Sequence, residues 1–357
     1  MEEFFSLRLV NSFVAGAGDL CVLAFFFWLL RVRSPRLRRL LVGLSIAHCV
    51  SALFLVSPIS VFAVQLLHDG NAPWYGDLAA VNLWVLAIWA GVAGFLLLRR
   101  LRSSARGVRL LRTLAELQPA VEPARYEALV RVADRLQIPV PKLVVLSGLP
   151  MTPFVVGLRE PLLVVPQEFS ETLDDDEWAA VVVHELMHLR HYDTWRSLAL
   201  EVVRTLLFFN LPLQLLVRRY RQELEKSRDL EACAVLGARR SLASGLVKVS
   251  ARVLRPGAVP ANCAAYSTFL LPRPHQTVDR LRALAWRGGR WQRLALALQI
   301  ATLVVVLPWQ PTVARNPVCL AYHPAAGGEA QHSTILVSAG MTTNPVSRWV
   351  VNALVSH

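Results

Sequence analysis

The chain has 357 residues and a formal charge of +13, is 54% hydrophobic and only 18% charged, and has a mean hydropathy of +0.42. That balance argues against an ordinary soluble domain and fits a chain partly embedded in lipid. The five cysteines, at 21, 49, 233, 263 and 319, form no CxxC pair, which argues against a disulfide framework or a zinc ribbon. The basic charge is nearly all arginine set beside apolar runs, so membrane topology explains it better than nucleic-acid binding.

Four apolar segments approach the roughly 20 residues that cross a bilayer. They are 9–30, with Asp19 inside it; 40–67, with Pro58 as a kink; 81–98, which has no charge; and 292–309, flanked by Trp291 and Trp309. The first run follows Glu2 and Glu3 rather than a basic region, so it does not read as a cleaved signal. Arginines cluster at 31–39, at 99–112 and just before the last run, while the loop "HDGNAPWYGD" is acidic. Basic loops stay inside. The expectation is a multi-pass α-helical membrane protein, 1–98 holding three spans and 291–310 a fourth. Both termini would then lie outside, with 99–290 as an inserted cytoplasmic domain and 311–357 as a short outer tail.

The inner segment is long enough for one folded domain. A helical stretch over roughly 105–137 opens it. "KLVVLSGLPMTPFVVGLREPLLVVP" then reads as two or three short strands broken by Gly and Pro. "SETLDDDEW" starts a helix, with Thr172 or Asp174 as N-cap. Its acidic run suits the helix dipole and reads as a solvated first turn. The apolar stretch 198–217 is interrupted by Glu201, Arg204, Asn210 and Pro212. It reads as a helix of the inner domain, buried or lying against the membrane, rather than a further span.

The chemistry is concentrated in "HELMH", 184–188. On a helix, positions i and i+4 share a face. His184 and His188 can therefore offer two imidazoles to one Zn²⁺, with Glu185 beside them to take a proton from an attacking water. An apolar helix does not bury such groups cheaply without a partner. A third ligand is needed, and "YRQELEKSRDLEACA", 220–234, is the obvious source. Glu225 and Asp229 are spaced i, i+4, so one can bind metal while the other orients a histidine. Glu225 is favoured, with Glu223, Asp229 and Glu231 as open alternatives. Asp193 is a further orienting candidate. His191 falls off the 184/188 face and reads as structural.

These residues resemble the membrane metallopeptidases of the BlaR/MecR antirepressor type, over roughly 1–310. "PFVVGLREPLLVVP" is similar to that family's Pro-x-x-x-Gly-x-x-x-Pro strand pair, and "HELMHLRHYD" to its HExxHxxxxD core. "FFNLP" is similar to its aromatic-Asn-Pro element, with one Leu inserted, and "EKSRD" falls at its ExxxD spacing. The resemblance implies an α+β gluzincin-like zinc peptidase domain with His184, His188 and Glu225 as ligands and Glu185 as base. Asp193 and Asp229 become orienting residues, and the substrate a cytoplasmic repressor or the protease itself, in a bacterial inner membrane. Two departures stand out. Arg228 occupies a position where the family commonly has Cys, which leaves Asp229 open as a ligand. And only about 47 residues follow the last span, without the serine–lysine signatures of a penicillin-binding sensor, so covalent β-lactam binding is not expected.

Tyr266, His275 and Arg280 are candidates to steady an oxyanion. A substrate strand could add to the 143–165 hairpins. Three other readings compete. One is a quality-control protease of the membrane. Another is a signalling scaffold with a closed structural zinc site, for which Cys233 is the nearby fourth ligand. The last is a transporter using Asp19 and His48.

Overall fold

The structure, a computed structural model, describes residues 5–29, 34–53, 62–63, 74–117, 123–146, 152–253, 274–285 and 313–314. The fold is mostly helical. In chain order come α1 (Phe5–Leu29), α2 (Pro35–Ser51), β1 (Phe62–Ala63), α3 (Trp74–Leu117), α4 (Pro123–Leu136), β2 (Lys142–Leu146), β3 (Phe154–Val156) and β4 (Leu162–Pro166). Then follow α5 (Gln167–Thr172), α6 (Asp175–Arg190), α7 (Asp193–Leu206), α8 (Leu211–Leu236), α9 (Arg239–Val253), α10 (Pro274–Ala285) and β5 (Val313–Ala314).

Among the described residues, α3 is the one helix long and apolar enough to cross a membrane, and its apolar part is almost entirely uncovered by protein. It does not stop where the apolar run ends at 98. It continues to Leu117, so the expected boundary at 98/99 falls inside one rigid helix. Nothing breaks it there: residues 99–117 hold no proline, and the single Gly107 is tolerated. The expected helix over 105–137 is instead the end of α3 followed by α4.

The expected second span, 40–67, is not one helix. Helix α2 ends at Ser51, and Phe62–Ala63 is extended, pairing in parallel with Val313–Ala314. Pro35 at the first turn opens α2, and its basic N-terminal residues reach α8. Arg38 lies 3.5 Å from Glu223 and Arg36 3.6 Å from Glu231, both glutamates being on α8. The expected fourth span, 291–310, and nearly all of the tail lie outside the described residues.

The sheet has the order β2-β4-β3, with β4 parallel to β2 and antiparallel to β3. Gly157 makes the β3–β4 turn at φ 100°, and a Cβ there would run into the Glu160 carbonyl. Only glycine fits that position. The β4 run "LLVVP" is buried throughout, as a central strand covered on both faces should be.

Two larger apolar cores result, beside a smaller cluster in which Val144, Leu146, Leu162 and Val164 meet Leu111 and Leu114 of α3. One joins α4, β2, β4, α5, α6, α8, α9 and α10 around Leu163, Phe169, Leu186 and Met187. The other joins α1 and α2 to the α7–α8 hairpin around Leu41, Leu213 and Leu216. Helix α8 belongs to both, its first half to the second core and its second half to the first.

The stretch 198–217 is thus a helical hairpin rather than a span. Asn210 ends its break by accepting from Leu213 N at 3.0 Å, and Pro212 follows in the first turn of α8.

Candidate metal centre

Helix α6 carries the HELMH motif through the first core. Asp174 is its N-cap, and the cap is reciprocal: Glu177 N donates to Asp174 Oδ1 at 2.8 Å and Asp174 N to Glu177 Oε2 at 3.1 Å. The acidic run is more than a solvated turn. Glu177 is buried and accepts from Ser244 Oγ and, at 2.6 Å, from Lys248 Nζ, both on α9. Burial would raise the Glu177 pKa, but these donors hold it below the ordinary glutamate value. Gly245 lets the helices close, since a Cβ there would meet Val181 Cγ2 at 3.2 Å.

One turn of α6 brings the imidazoles together. The two Nε2 atoms are 3.4 Å apart. Glu225, from α8, offers Oε2 at 3.4 Å from His184 Nε2 and Oε1 at 3.7 Å from His188 Nε2. Ligand atoms from these three residues all lie within 4.8 Å of one another, and among the described residues this is the single such group. The Glu225 side chain keeps 40% of its surface open, on a centre whose histidines are otherwise covered. Burial opposes its ionisation, yet His188, His184 and Arg280 hold it well below the usual carboxylate range.

Each histidine is backed by a carboxylate, and each carboxylate by an arginine. After α6, Tyr192 takes a left-handed conformation (φ 55°), strained for a non-glycine residue. That turn returns Asp193 Oδ2 to 3.0 Å from His188 Nδ1. Arg228 Nε and Nη2 donate to the two Asp193 oxygens at 2.6 and 2.8 Å, and Nη1 to Glu231 at 2.7 Å. The fully buried Arg228 is therefore a positioning partner of Asp193, not an idle departure from a family pattern.

On the other side Asp229 Oδ1 lies 2.9 Å from His184 Nδ1, close but not aligned as a formal N–H···O bond. Arg280, on α10, grips Asp229 at 2.7 and 2.6 Å. Its Nη2 also lies 3.2 Å from His184 Nε2, and its Nη1 3.5 Å from Glu225. Burial lowers the His184 pKa, but Asp229 outweighs that and pushes it up to about 10. A metal ligand must be neutral at the nitrogen that binds, so metal binding would work against this shift.

Glu185 is buried beside the pair, and burial raises its pKa against the pull of the two histidines. The other sequence candidates separate cleanly. Glu223 is buried against Lys226, 3.1 Å away, and Glu231 pairs with Arg228 and, at 2.8 Å, with His191 Nε2. Neither joins the group. Cys233 sits in the apolar core, where burial pushes its thiol up to about 11, and it too is outside the group. Tyr266 lies outside the described residues. His275 is placed on α10 by its backbone alone. Asp19 and His48 pair with each other at 3.1 Å, tying α1 to α2.

Sequence reasoning missed the Arg228–Asp193 clamp and the ties of Glu177 to Ser244 and Lys248. Spacing along one helix carries no signal for partners that arrive from another.

Comparison with known proteins agrees with the geometry. Residues 53–283 match the family model described as BlaR1 peptidase M56. A protease HtpX homolog of Nostoc punctiforme is 28% identical over 128 residues, 33% of this chain and 44% of its own length. One of Trichormus variabilis matches with the same identity and coverage. The chain thus spans less than half the length of these curated relatives.

Proposed function

Because this chain belongs to the BlaR1 peptidase M56 family, we propose that it is a zinc endopeptidase, anchored in a membrane by α3 and cutting peptide bonds on the inner side. The carrying observation is the convergence of His184, His188 and Glu225, two nitrogens and one carboxylate, within 4.8 Å. That donor set fits zinc, and three protein ligands leave the fourth position of a tetrahedral ion to water, as in a catalytic rather than a closed structural site. Held there, zinc would supply Lewis-acid polarisation of a peptide carbonyl and make the attacking water more acidic.

The chain's own residues do the rest. Glu185, its pKa raised by burial, takes a proton from the attacking water and passes it to the departing amide nitrogen. Asp193 and Asp229 fix the ring orientations of His188 and His184. Arg280 holds its guanidinium beside His184 and Glu225, where it steadies negative charge developing on the carbonyl oxygen. Tyr266 and His275 remain candidates for the same task. β3 is an edge of its sheet and packs against α6, so an extended peptide aligns there as an added strand.

The substrate in this reading is a cytoplasmic repressor or the protease itself. Membrane quality control is a second reading, kept open by the match to proteins named as HtpX protease homologues. Cleavage of a co-expressed winged-helix repressor from a neighbouring gene would favour signalling.

The direct test is elemental analysis of detergent-purified protein beside Glu185→Gln and His188→Ala, with intact mass followed over time. The expected result is about one zinc per chain, kept in Glu185→Gln and lost in His188→Ala, with cleavage by the unmutated chain alone. No metal in any form would remove the reading.

A further inference from the structure

The tip of the α7–α8 hairpin has features that peptidase chemistry does not use. Residues 205–217 contain no charge, although Arg204 and Arg218 flank them. The break between the helices meets α3 at its apolar middle: Trp89 Nε1 donates to Leu206 O at 2.8 Å. Trp89 is eleven residues above Arg100, about 17 Å of helix, and half a bilayer's hydrocarbon is about 15 Å. The break therefore stands level with the middle of the charge-free run 81–98 of α3, the one described helix fit to span.

A break at that depth leaves backbone groups that water cannot reach, and lipid tolerates this only where protein satisfies them. Here protein does. Gln214 Nε2 donates to Arg204 O and Leu207 O at 3.0 and 3.1 Å. Asn210 Oδ1 accepts from Leu213 N, and its Nδ2 donates to Ser12 Oγ on α1 at 3.1 Å. Ser12 Oγ donates onward to Cys49 O on α2 at 2.8 Å. Gly16 of α1 admits Pro212, whose Cβ would be 3.0 Å from any side chain there. Phe208, Leu211 and Leu215 face outward at 39%, 62% and 45% exposure, as Leu83, Trp84, Ile88 and Phe95 do on α3. At the base of the hairpin, Glu201 is ringed by Arg100, Arg204 and Arg221.

We propose that residues 205–217 form a re-entrant hairpin tip seated in the lipid hydrocarbon near mid-bilayer, with Phe208, Leu211 and Leu215 against acyl chains. The inference rests on the reading that α3 spans the membrane. It places the metal centre close beneath the inner surface, because the same unbroken helix reaches Glu225 fourteen residues after Leu211, about 21 Å on.

The test uses the full chain, its five cysteines replaced by alanine, in vesicles of phosphatidylethanolamine and phosphatidylglycerol. A nitroxide is attached in turn at Phe208→Cys, Leu211→Cys and Leu215→Cys. Ile88→Cys on α3 serves as the hydrocarbon reference and Val247→Cys on α9 as the aqueous one. The readout is relaxation by oxygen against relaxation by a water-soluble nickel chelate. The tip positions are expected to match Ile88→Cys, with the oxygen-to-nickel ratio several-fold above that of Val247→Cys. Tip labels that match Val247→Cys, or that read at headgroup depth, while Ile88→Cys reads as hydrocarbon, would overturn the inference and leave the spanning reading intact. An aqueous Ile88→Cys would overturn both. Three tip positions keep the test decisive if one variant fails to fold.

Discussion

The two zinc-ligand histidines proposed here are held by the same device in different surroundings. His188 leans on Asp193, and Asp193 on Arg228; His184 leans on Asp229, and Asp229 on Arg280. Arg228 is wholly buried and turns its Nη1 to Glu231, so it serves position alone. Arg280 keeps 18% of its side chain open and reaches past its carboxylate to Glu225 and the face of His184. The pairing is the same carboxylate–arginine unit twice, and the difference is the ground for proposing Arg280, not Arg228, as the one that meets a substrate.

The comparison can be broken from its centre outward. Glu185→Gln should lower peptide cleavage by about 10²–10⁴-fold with zinc content unchanged, measured on a quenched peptide or as self-cleavage. Next in size is Arg228→Met, which takes the buried guanidinium from Asp193 and Glu231 and leaves Asp193 to Arg196 and His188, and Glu231 to His191. Breaking a buried pair costs about 3–5 kcal/mol, so this variant should unfold at clearly lower temperature in detergent. Removing Asp193 as well, as Asp193→Leu with Arg228→Met, should recover much of that loss but not the zinc affinity. Arg280→Met should also cost stability, because it leaves the wholly buried Asp229 with His184 alone, but it should lose turnover beyond what its zinc content accounts for. If the two arginine variants lose turnover alike at equal zinc content, the distinction between them is wrong.

Asp193→Asn and Asp229→Asn should each weaken zinc binding by about 10–100-fold, read by competition with a chelator. Gly157→Ala tests the turn beside the site and should cost about 1–3 kcal/mol, since strain and a backbone clash coincide there.

The smallest effect is pH-dependent. Glu177 has a folded pKa below its unfolded value of about 4.3. Its contribution is therefore present above that pH and lost as pH falls through the folded pKa. Lys248→Met should lower the melting temperature near neutrality, and the gap to the parent should close in acid. A gap that is constant with pH would mean Lys248 acts through packing alone.

The candidate group of His184, His188 and Glu225 could be read from the sequence because each of its two helices spaces its own share locally. HELMH puts two imidazoles on a face by helical period alone, and ExxxD spaces Glu225 and Asp229 the same way. The strand pair was legible too, because Pro153, Gly157 and Pro161 punctuate it. The span boundaries were less so. Hydropathy read 40–67 as one span, but α2 ends at Ser51 and packs along α8, since its apolar residues face a protein core and not only lipid. The interrupted run 198–217 resolved into a hairpin because Asn210 caps one helix while bridging to another.

By itself, then, the sequence determined what depends on local period and composition. That includes the α6 face with its two histidines, the glycine turn, the apolar run of α3 and the basic flanks. Tertiary structure alone decided which carboxylate meets the histidines, that Arg228 and Arg280 each hold one of the others, and that α8 links the metal centre to α1 and α2. Those contacts join residues 35 to nearly 200 positions apart. No local pattern encodes such pairings, because the chain must first bury two cores along α8 before these groups are brought within reach of one another.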